Sequence, residues 1–403
     1  MSADKVVKPR MESRGGRVTA MVLGTGVNAL YVLALQVLAL VTLEPSDYGA
    51  YSIQYLAFAL ASSVGTSLVS ESWLRRDLHE KRRSSWADYS AVLGYLSLVA
   101  GLLVLAGSLL MPVLASSSWI GAVAVAASTY RVGARYYAVR LHQHKYVFAA
   151  DIAGLIVTVG AWLAVLLVST HSLQSMVAVW AVGAAASALF SRWPSIQRPR
   201  LVREWLREHK NHVKPLLRDS LLQDAGAVGT PYLLAPVLGL AAFGTYRAVS
   251  NVSAPVRLVL TPLRPSLASV PLATHRSFAR IVSIVCGAAF FGVAAYVCLA
   301  WIRQSELNLG TLNELGPFAL PTALYVAANF LGHYYYVPAR AHSSGKALMT
   351  GRVFQTIIVI VLPIVGVVVA GLSGAIWAYA TATFLWAVVW MVIVLRKRGI
   401  EQL

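Results

Sequence analysis

Apolar residues run through this chain in blocks of about twenty, parted by short polar gaps. Twelve blocks can be marked, at 18–43, 48–72, 88–111, 119–139, 147–169, 173–191, 217–239, 243–265, 281–302, 317–337, 351–370 and 373–395. A helix crossing a hydrocarbon core needs ~20 mostly apolar residues, so each block predicts one membrane crossing. Little sequence remains for a separate soluble domain. The pattern predicts an all-α polytopic membrane protein of about 12 transmembrane helices.

Composition narrows the class further. Hydrophobic residues make up 58% of the 403, charged residues 12%, and the mean hydropathy is +0.65. Those values exclude an ordinary soluble domain. A basic leader (Lys5, Lys8, Arg10, Arg14, Arg17) precedes the first block, which is too long for a signal-peptide core and is read as retained.

Charge then orients the chain. Basic residues occupy alternate gaps: Arg75, Arg76, Lys81, Arg82 and Arg83; Arg140 and Lys145; a central cluster; Arg276 and Arg280; Arg340 and Lys346; and the tail Arg396, Lys397, Arg398. The intervening gaps hold Arg303 beside Glu44, Asp47, Glu306 and Glu314. The positive-inside rule therefore places both termini in the cytoplasm. The net charge of +18 is a topology signal, dispersed over short loops rather than gathered into the basic face of a nucleic-acid-binding domain, so no nucleic acid is expected as a partner.

The longest basic gap divides the chain into an N-terminal six-helix lobe (1–191), a linker (192–216) and a C-terminal six-helix lobe (217–403). Within the linker, Leu201, Val202, Trp205, Leu206, His209 and Val213 share one helical face, while Arg203, Arg207, Lys210 and Lys214 share the other. This amphipathic helix is expected to lie in the headgroup boundary on anionic lipid, with docking on a partner as the alternative. Internal repetition supports the division. Tyr48-Gly49-Ala50-Tyr51 and Phe243-Gly244-Thr245-Tyr246 are offset by 195 residues. Arg135-Tyr136-Tyr137 and His333-Tyr334-Tyr335 are offset by 198. Six spans separate matched helices, so both copies keep one orientation and would flank a central cleft.

Charges inside the bilayer are the chemical clue. A charged side chain at a helix centre costs ~2.5 to 3.5 kcal/mol on insertion scales, so it must meet water, a counterion or a ligand. Arg131 and Arg135 follow Ser128 on one face of the fourth span. Tyr246, Ser250, Ser253, Arg257, Thr261 and Arg264 form a polar stripe down the eighth, which Pro255, Pro262 and Pro265 should bend. Tyr51, Tyr55, Ser62, Thr66 and Ser70 form a counterpart in the second. Acidic residues are fewer: Asp224, Asp219, Asp151 and Glu71, with Asp224 the best placed to hold an ion. Two readings stand for the arginines. They snorkel to the interface, or they line a cationic cavity that grips an anion through paired guanidinium hydrogen bonds.

Other chemistry is thinly represented. Cys286 and Cys298 lie about 18 Å apart along one helix, too far to bridge. His142 with His144, and His209 with His212, have ligand-like spacing without acidic or cysteine neighbours, so no metal and no other cofactor is expected. The chain shows neither a Gly-rich nucleotide loop nor a catalytic constellation, and an enzyme is not expected.

At three turns the sequence resembles the multidrug/oligosaccharidyl-lipid/polysaccharide (MOP) exporter superfamily, especially its polysaccharide-unit flippase branch. The residues are Leu43-Glu44-Pro45-Ser46-Asp47-Tyr48-Gly49-Ala50-Tyr51, Gly239-Leu240-Ala241-Ala242-Phe243-Gly244-Thr245-Tyr246 and Gly371-Leu372-Ser373-Gly374-Ala375-Ile376-Trp377-Ala378. The resemblance implies a two-lobed transporter of the bacterial plasma membrane. It would move a polyprenyl-pyrophosphate-linked oligosaccharide from inner to outer leaflet by alternating access. On this reading Arg131, Arg135 and Arg257 hold the anionic headgroup. Tyr246, Ser250, Ser253, Thr261, Tyr51 and Tyr55 contact the cargo, and Asp224 is the coupling site for H+ or Na+. Membrane lipids and envelope polysaccharide assembly proteins are the expected partners. The alternatives are a drug or small-molecule cation antiporter of the same superfamily, a membrane glycosyltransferase or polymerase acting on lipid-linked sugars, and a non-transporting scaffold.

Overall fold

The computed structural model describes residues 14–80, 85–168, 171–195 and 198–396, and its regular structure there is entirely helical. The leader through Arg10, the Lys81 to Arg83 cluster, Lys397, Arg398 and the side chain of Thr261 lie outside the described residues. Helices are what lipid permits, because each backbone N–H and C=O finds its partner within the same segment. Among the described residues, seven helical runs are long and apolar enough to cross a membrane.

In the N-terminal half, α1 (Arg14–Thr42) is followed by α2 (Pro45–Gly65), a π-helical turn (Thr66–Glu71) and α3 (Ser72–Glu80). Then come α4 (Trp86–Leu109), the single turn α5 (Pro112–Ala115), α6 (Ser118–Arg140), α7 (His144–Val168) and α8 (Leu173–Leu189). The C-terminal half opens with α9 (Arg200–Asp224), a second π-helical turn (Ala225–Gly229) and α10 (Thr230–Leu238). It continues through α11 (Leu240–Val252), α12 (Ala254–Ser269), the short α13 (Leu272–Arg276) and α14 (Phe278–Gln304). A 3-10 stretch (Gly310–Phe318) enters α15 (Ala319–His342), and α16 (Gly345–Arg396) ends the described chain. The expected gap between the last two spans is a break inside α16, where Gly371 takes φ 57° and ψ −138°. An L side chain rarely adopts that conformation. The bend expected of the eighth span falls at Ser253, just ahead of Pro255, and parts α11 from α12.

The helices pack in two groups. In the first, α6 lies against α4 and α8, α7 against α8, and α1 against α7; in the second, α15 lies against α12, α14 and α16. The groups meet where α2 crosses α11, and the crossing is made by the repeat itself. A Cβ on Gly49 would sit 2.2 Å from the Leu240 carbonyl oxygen, and one on Gly244 would sit 2.0 Å from that of Pro45. Gly49 and Gly244 are 195 residues apart, and so are Pro45 and Leu240. The contact is thus reciprocal, each copy meeting the other through the same pair of positions, as a two-fold relation requires. Only glycine lets two helix backbones approach this closely.

Further bonds close this end of the molecule, the one with few basic residues in its turns. Thr311 donates from its backbone N–H and its hydroxyl to the Leu43 carbonyl, at 2.9 and 2.7 Å. Asn251 of α11 hydrogen-bonds the Tyr48 hydroxyl of α2. Tyr232 donates to the Ile53 carbonyl at 2.9 Å.

The linker departs from expectation. Arg200–Asp224 is one unbroken helix, so the amphipathic segment and the start of the seventh span are continuous. Part of its apolar face packs on protein, with Trp205, His209 and Val213 buried, while Leu206 stays exposed. The Trp205 indole donates to the Leu68 carbonyl at 3.1 Å, and its ring stacks on His209 with centroids 4.0 Å apart. The Leu68 carbonyl lies in the π-helical turn and also accepts from the Ser72 hydroxyl at 2.6 Å. Arg76 of α3 pairs with Glu208 across the same junction.

Candidate functional site

A cavity of about 380 Å³ lies between the two groups of helices, below the Gly49 and Gly244 crossing. The N-terminal half contributes Gln36, Tyr55, Leu56 and Ala59, and the C-terminal half supplies the rest. Five arginines line it: Arg247, Arg257, Arg264, Arg340 and Arg352. Asp224 is the single acidic lining residue. The wall therefore carries a surplus of positive charge, which a low-dielectric setting amplifies for any anion that enters.

Each wall follows from local helix geometry. On α15, Tyr325, Asn329, His333, Tyr336 and Arg340 recur at three- and four-residue steps, one stripe running about 22 Å down the cavity. On α16, Arg352, Gln355, Thr356 and Val359 repeat the pattern. Arg352 is held in place: it bonds the Tyr336 hydroxyl, and its guanidinium lies over that ring at 4.8 Å. Arg257, Arg264 and Arg340 make no ion pair with any described residue, and the Nε of Arg247 has no partner. Asp224 closes α9 where the π-helical turn begins, and such an insertion shifts the register of the side chains that follow. Its carboxylate takes a hydrogen bond from Ser63 of α2, while Oδ2 is buried without a partner.

The far end is aromatic. Tyr325 and Tyr379 stack at 4.7 Å, and Tyr246 packs on Tyr379 at 5.2 Å. Tyr51 meets Trp180 edge-on at 5.8 Å in the matching place of the N-terminal half. Two bundles thus enclose a charged, one-ended cleft.

Solved structures match this fold over nearly the whole chain. An inward-facing multidrug resistance MATE family transporter of the MOP superfamily matches with TM-score 0.64 and 12% identity, over 93% of this chain and 96% of that one. The chain shares this transporter's fold. The lipid II flippase MurJ, in its inward closed conformation, matches with TM-score 0.62 and 14% identity, over 93% of this chain and 86% of that one. An outward-facing MATE family transporter matches less well, with TM-score 0.56 and 12% identity over 92% of each chain. The sequence matches no family model and no curated protein.

Within this fold the sequence-predicted residues divide. Arg257, Ser250, Ser253, Tyr55 and Asp224 line the cavity. Ser250 and Ser253 donate to carbonyls one turn back, those of Arg247 and Ser250, and the Ser253 hydroxyl also lies 3.3 Å from that of Tyr325. Tyr51 and Tyr246 do not line it; both are fully buried and packed on aromatic neighbours. A phenol can satisfy its own hydroxyl inside the protein, as Tyr51 does on the Leu35 carbonyl, so a polar stripe is no guarantee of a wet face.

The largest correction concerns Arg131 and Arg135. Neither lines the cavity. Both converge on Asp151 of α7, Arg131 at 3.0 Å on Oδ1 and Arg135 at 2.9 Å on Oδ2. Arg131 also bonds Asn28 and lies over the Tyr31 ring, while Arg135 bonds the Gly24 carbonyl. These guanidinium groups have their counterion within the protein and tie α1, α6 and α7 together. The cavity charge expected from them comes from Arg264, Arg340, Arg352 and Arg247. The stripe on α15 was readable from the same periodicity used for the second and eighth spans.

Proposed function

We propose that the protein is a flippase of the bacterial plasma membrane that carries a polyprenyl-pyrophosphate-linked oligosaccharide from the inner to the outer leaflet. Twelve spans in two six-helix lobes, 1–191 and 217–403 about the 192–216 linker, rock about the Gly49 and Gly244 crossing, with both termini cytoplasmic. The observation that carries the reading is the cavity wall itself, five arginines against one carboxylate. Planar guanidinium groups bind phosphate oxygens in pairs, and Arg257, Arg264 and Arg340 make no ion pair with a described residue. Tyr55, Ser250, Ser253 and Asn329 offer hydroxyl and amide groups to sugar. Asp224, buried beside that charge, takes the role of proton or cation site. The seal at the crossing, with the cavity on its other side, is the arrangement of a carrier facing the leaflet where lipid-linked sugars are assembled.

A drug or cation antiporter is the second reading, and the likeness to MATE transporters is what favours it. The positive wall opposes a cationic cargo, so a polyanion is preferred. A glycosyltransferase acting on the same lipid would alter its substrate covalently. The experiment is leaflet transfer of a fluorescent polyprenyl-pyrophosphate sugar in proteoliposomes, with product mass checked. Arg257→Ala is expected to cut transfer at least tenfold, about 1.4 kcal/mol in the barrier, with the lipid chemically unchanged. Transfer at the wild-type rate in Arg257→Ala and in Arg340→Ala would remove the anion-binding reading.

A further inference from the structure

A second concavity, about 820 Å³, lies outside the cavity between α9 and α16. Its floor is apolar, with Leu217 and Leu221 of α9 facing Met349 and Val353 of α16. Lys210, Lys214 and Arg218 stand along its edge at four-residue steps, one row about 12 Å long on the helix surface. All three are exposed, none is ion-paired with a described residue, and no acidic residue lines the groove. Trp205 and His209 turn a different face of α9 into protein, and Val213, also buried, borders the groove on that side, so the basic row is not the side on which the helix docks.

Position and chemistry agree. The row ends where the seventh span begins, the depth at which headgroups lie, and the apolar floor continues toward the bilayer interior. We propose that the groove is a binding site for one anionic glycerophospholipid of the leaflet that faces the basic loops. Its phosphate rests on Lys210, Lys214 and Arg218, and an acyl chain lies along Leu217, Leu221, Met349 and Val353. The residue types favour this occupant over the cargo's isoprenoid tail. A tail whose pyrophosphate sits in the arginine cavity would need no cations at the groove, whereas a resident lipid needs them at its headgroup. The site backs directly on the cavity wall. Arg352 and Thr356, beside Val353 on α16, face the cavity, and Thr356 donates to the Leu222 carbonyl of α9 at 3.1 Å. A lipid wedged here braces the two helices that this bond joins.

The test needs no transport readout, so its outcome is separate from that of the flippase reading. Full-length protein is equilibrated in mixed phosphatidylcholine and phosphatidylglycerol micelles and released for native mass spectrometry. One retained phosphatidylglycerol is expected. The bound fraction should fall at least tenfold in Lys210→Gln/Lys214→Gln/Arg218→Gln. It should hold in Arg200→Gln/Arg203→Gln/Arg207→Gln, which removes equal charge from the same helix outside the groove. Equal loss in both triple variants would mean diffuse attraction and overturn the site, as would equal retention of phosphatidylcholine. A photoreactive residue at Met349 in the otherwise native chain decides the matter if the lysine variant does not fold. Cross-linking to phosphatidylglycerol in preference to phosphatidylcholine supports the site, and no preference overturns it.

Discussion

Two sets of arginines stand inside this bundle in opposite conditions. Arg131 and Arg135 share the carboxylate of Asp151, and Arg131 is 3% exposed. Arg257, Arg264 and Arg340 lie along a cavity with no ion pair to a described residue. One residue type in one solvent has thus met two fates. A guanidinium in the membrane needs negative charge nearby, and Asp151 supplies it directly to the first pair, whereas the second set makes no ion pair with a described residue. On the proposed function, the difference separates a charge that holds helices together from a charge offered to an anionic cargo.

Breaking the internal pair should have the largest effect. Asp151→Ala leaves Arg131 buried without its counterion, and a loss of about 3 to 5 kcal/mol in stability is expected, read as folded yield and thermal melting in detergent. A variant melting like wild type would erase the contrast. Next comes the crossing that both halves share. Gly244→Leu puts atoms where the Pro45 carbonyl lies and should disfavour the sealed form by about 1 to 3 kcal/mol. A cysteine at Asn251, in a chain with Cys286 and Cys298 replaced by Ser, should then react with an impermeant thiol reagent added to the outer side. On the ligand-facing side, Arg264→Ala and Arg340→Ala should change stability by no more than about 0.5 kcal/mol, because they break no ion pair within the protein. Matched melting curves with Arg131→Ala sharpen the comparison, since that variant alone should melt low.

The smallest effect concerns pH at the linker. Burial lowers the pKa of His209 from its ordinary 6.5, so the docked helix disfavours the proton that the released one accepts. Docking is therefore at full strength above that value and weakens as pH falls toward the lowered one. Limited proteolysis near 198–216 should quicken on acidification through this range, and His209→Phe should flatten the response.

Much of the architecture was legible in the chain. Most apolar blocks fall on helices of similar extent, the seventh being the clear exception because α9 begins at Arg200, and the break at Gly371 falls in the gap between the last two. The offset of 195 anticipates a contact that the structure makes literal, with Gly49 and Gly244 in direct opposition. The cationic character of the cavity was legible too, but its membership was not. Arg131, Arg135 and Asp151 all stood in view as intramembrane charges, yet which of them met depended on how α6 lies against α7. The stripe from Tyr325 to Arg340 obeys the helical period, but periodicity gives a shared face without saying whether that face meets a cavity, lipid or another helix. Asp224 owes its place to a π-helical turn that no residue pattern announced.

What the sequence by itself determined is what depends on one segment and its solvent: that the apolar blocks are helical, and that basic residues alternate from gap to gap. Lipid enforces this, since every segment must satisfy its own backbone and segregate its own charge. What only the tertiary structure decided is which charges cancel. Ion pairing depends on contacts between helices far apart in the chain, and a span's periodicity gives the face of a side chain without naming its neighbour. Tertiary packing alone therefore separated the arginines that brace this protein from those left facing the cavity.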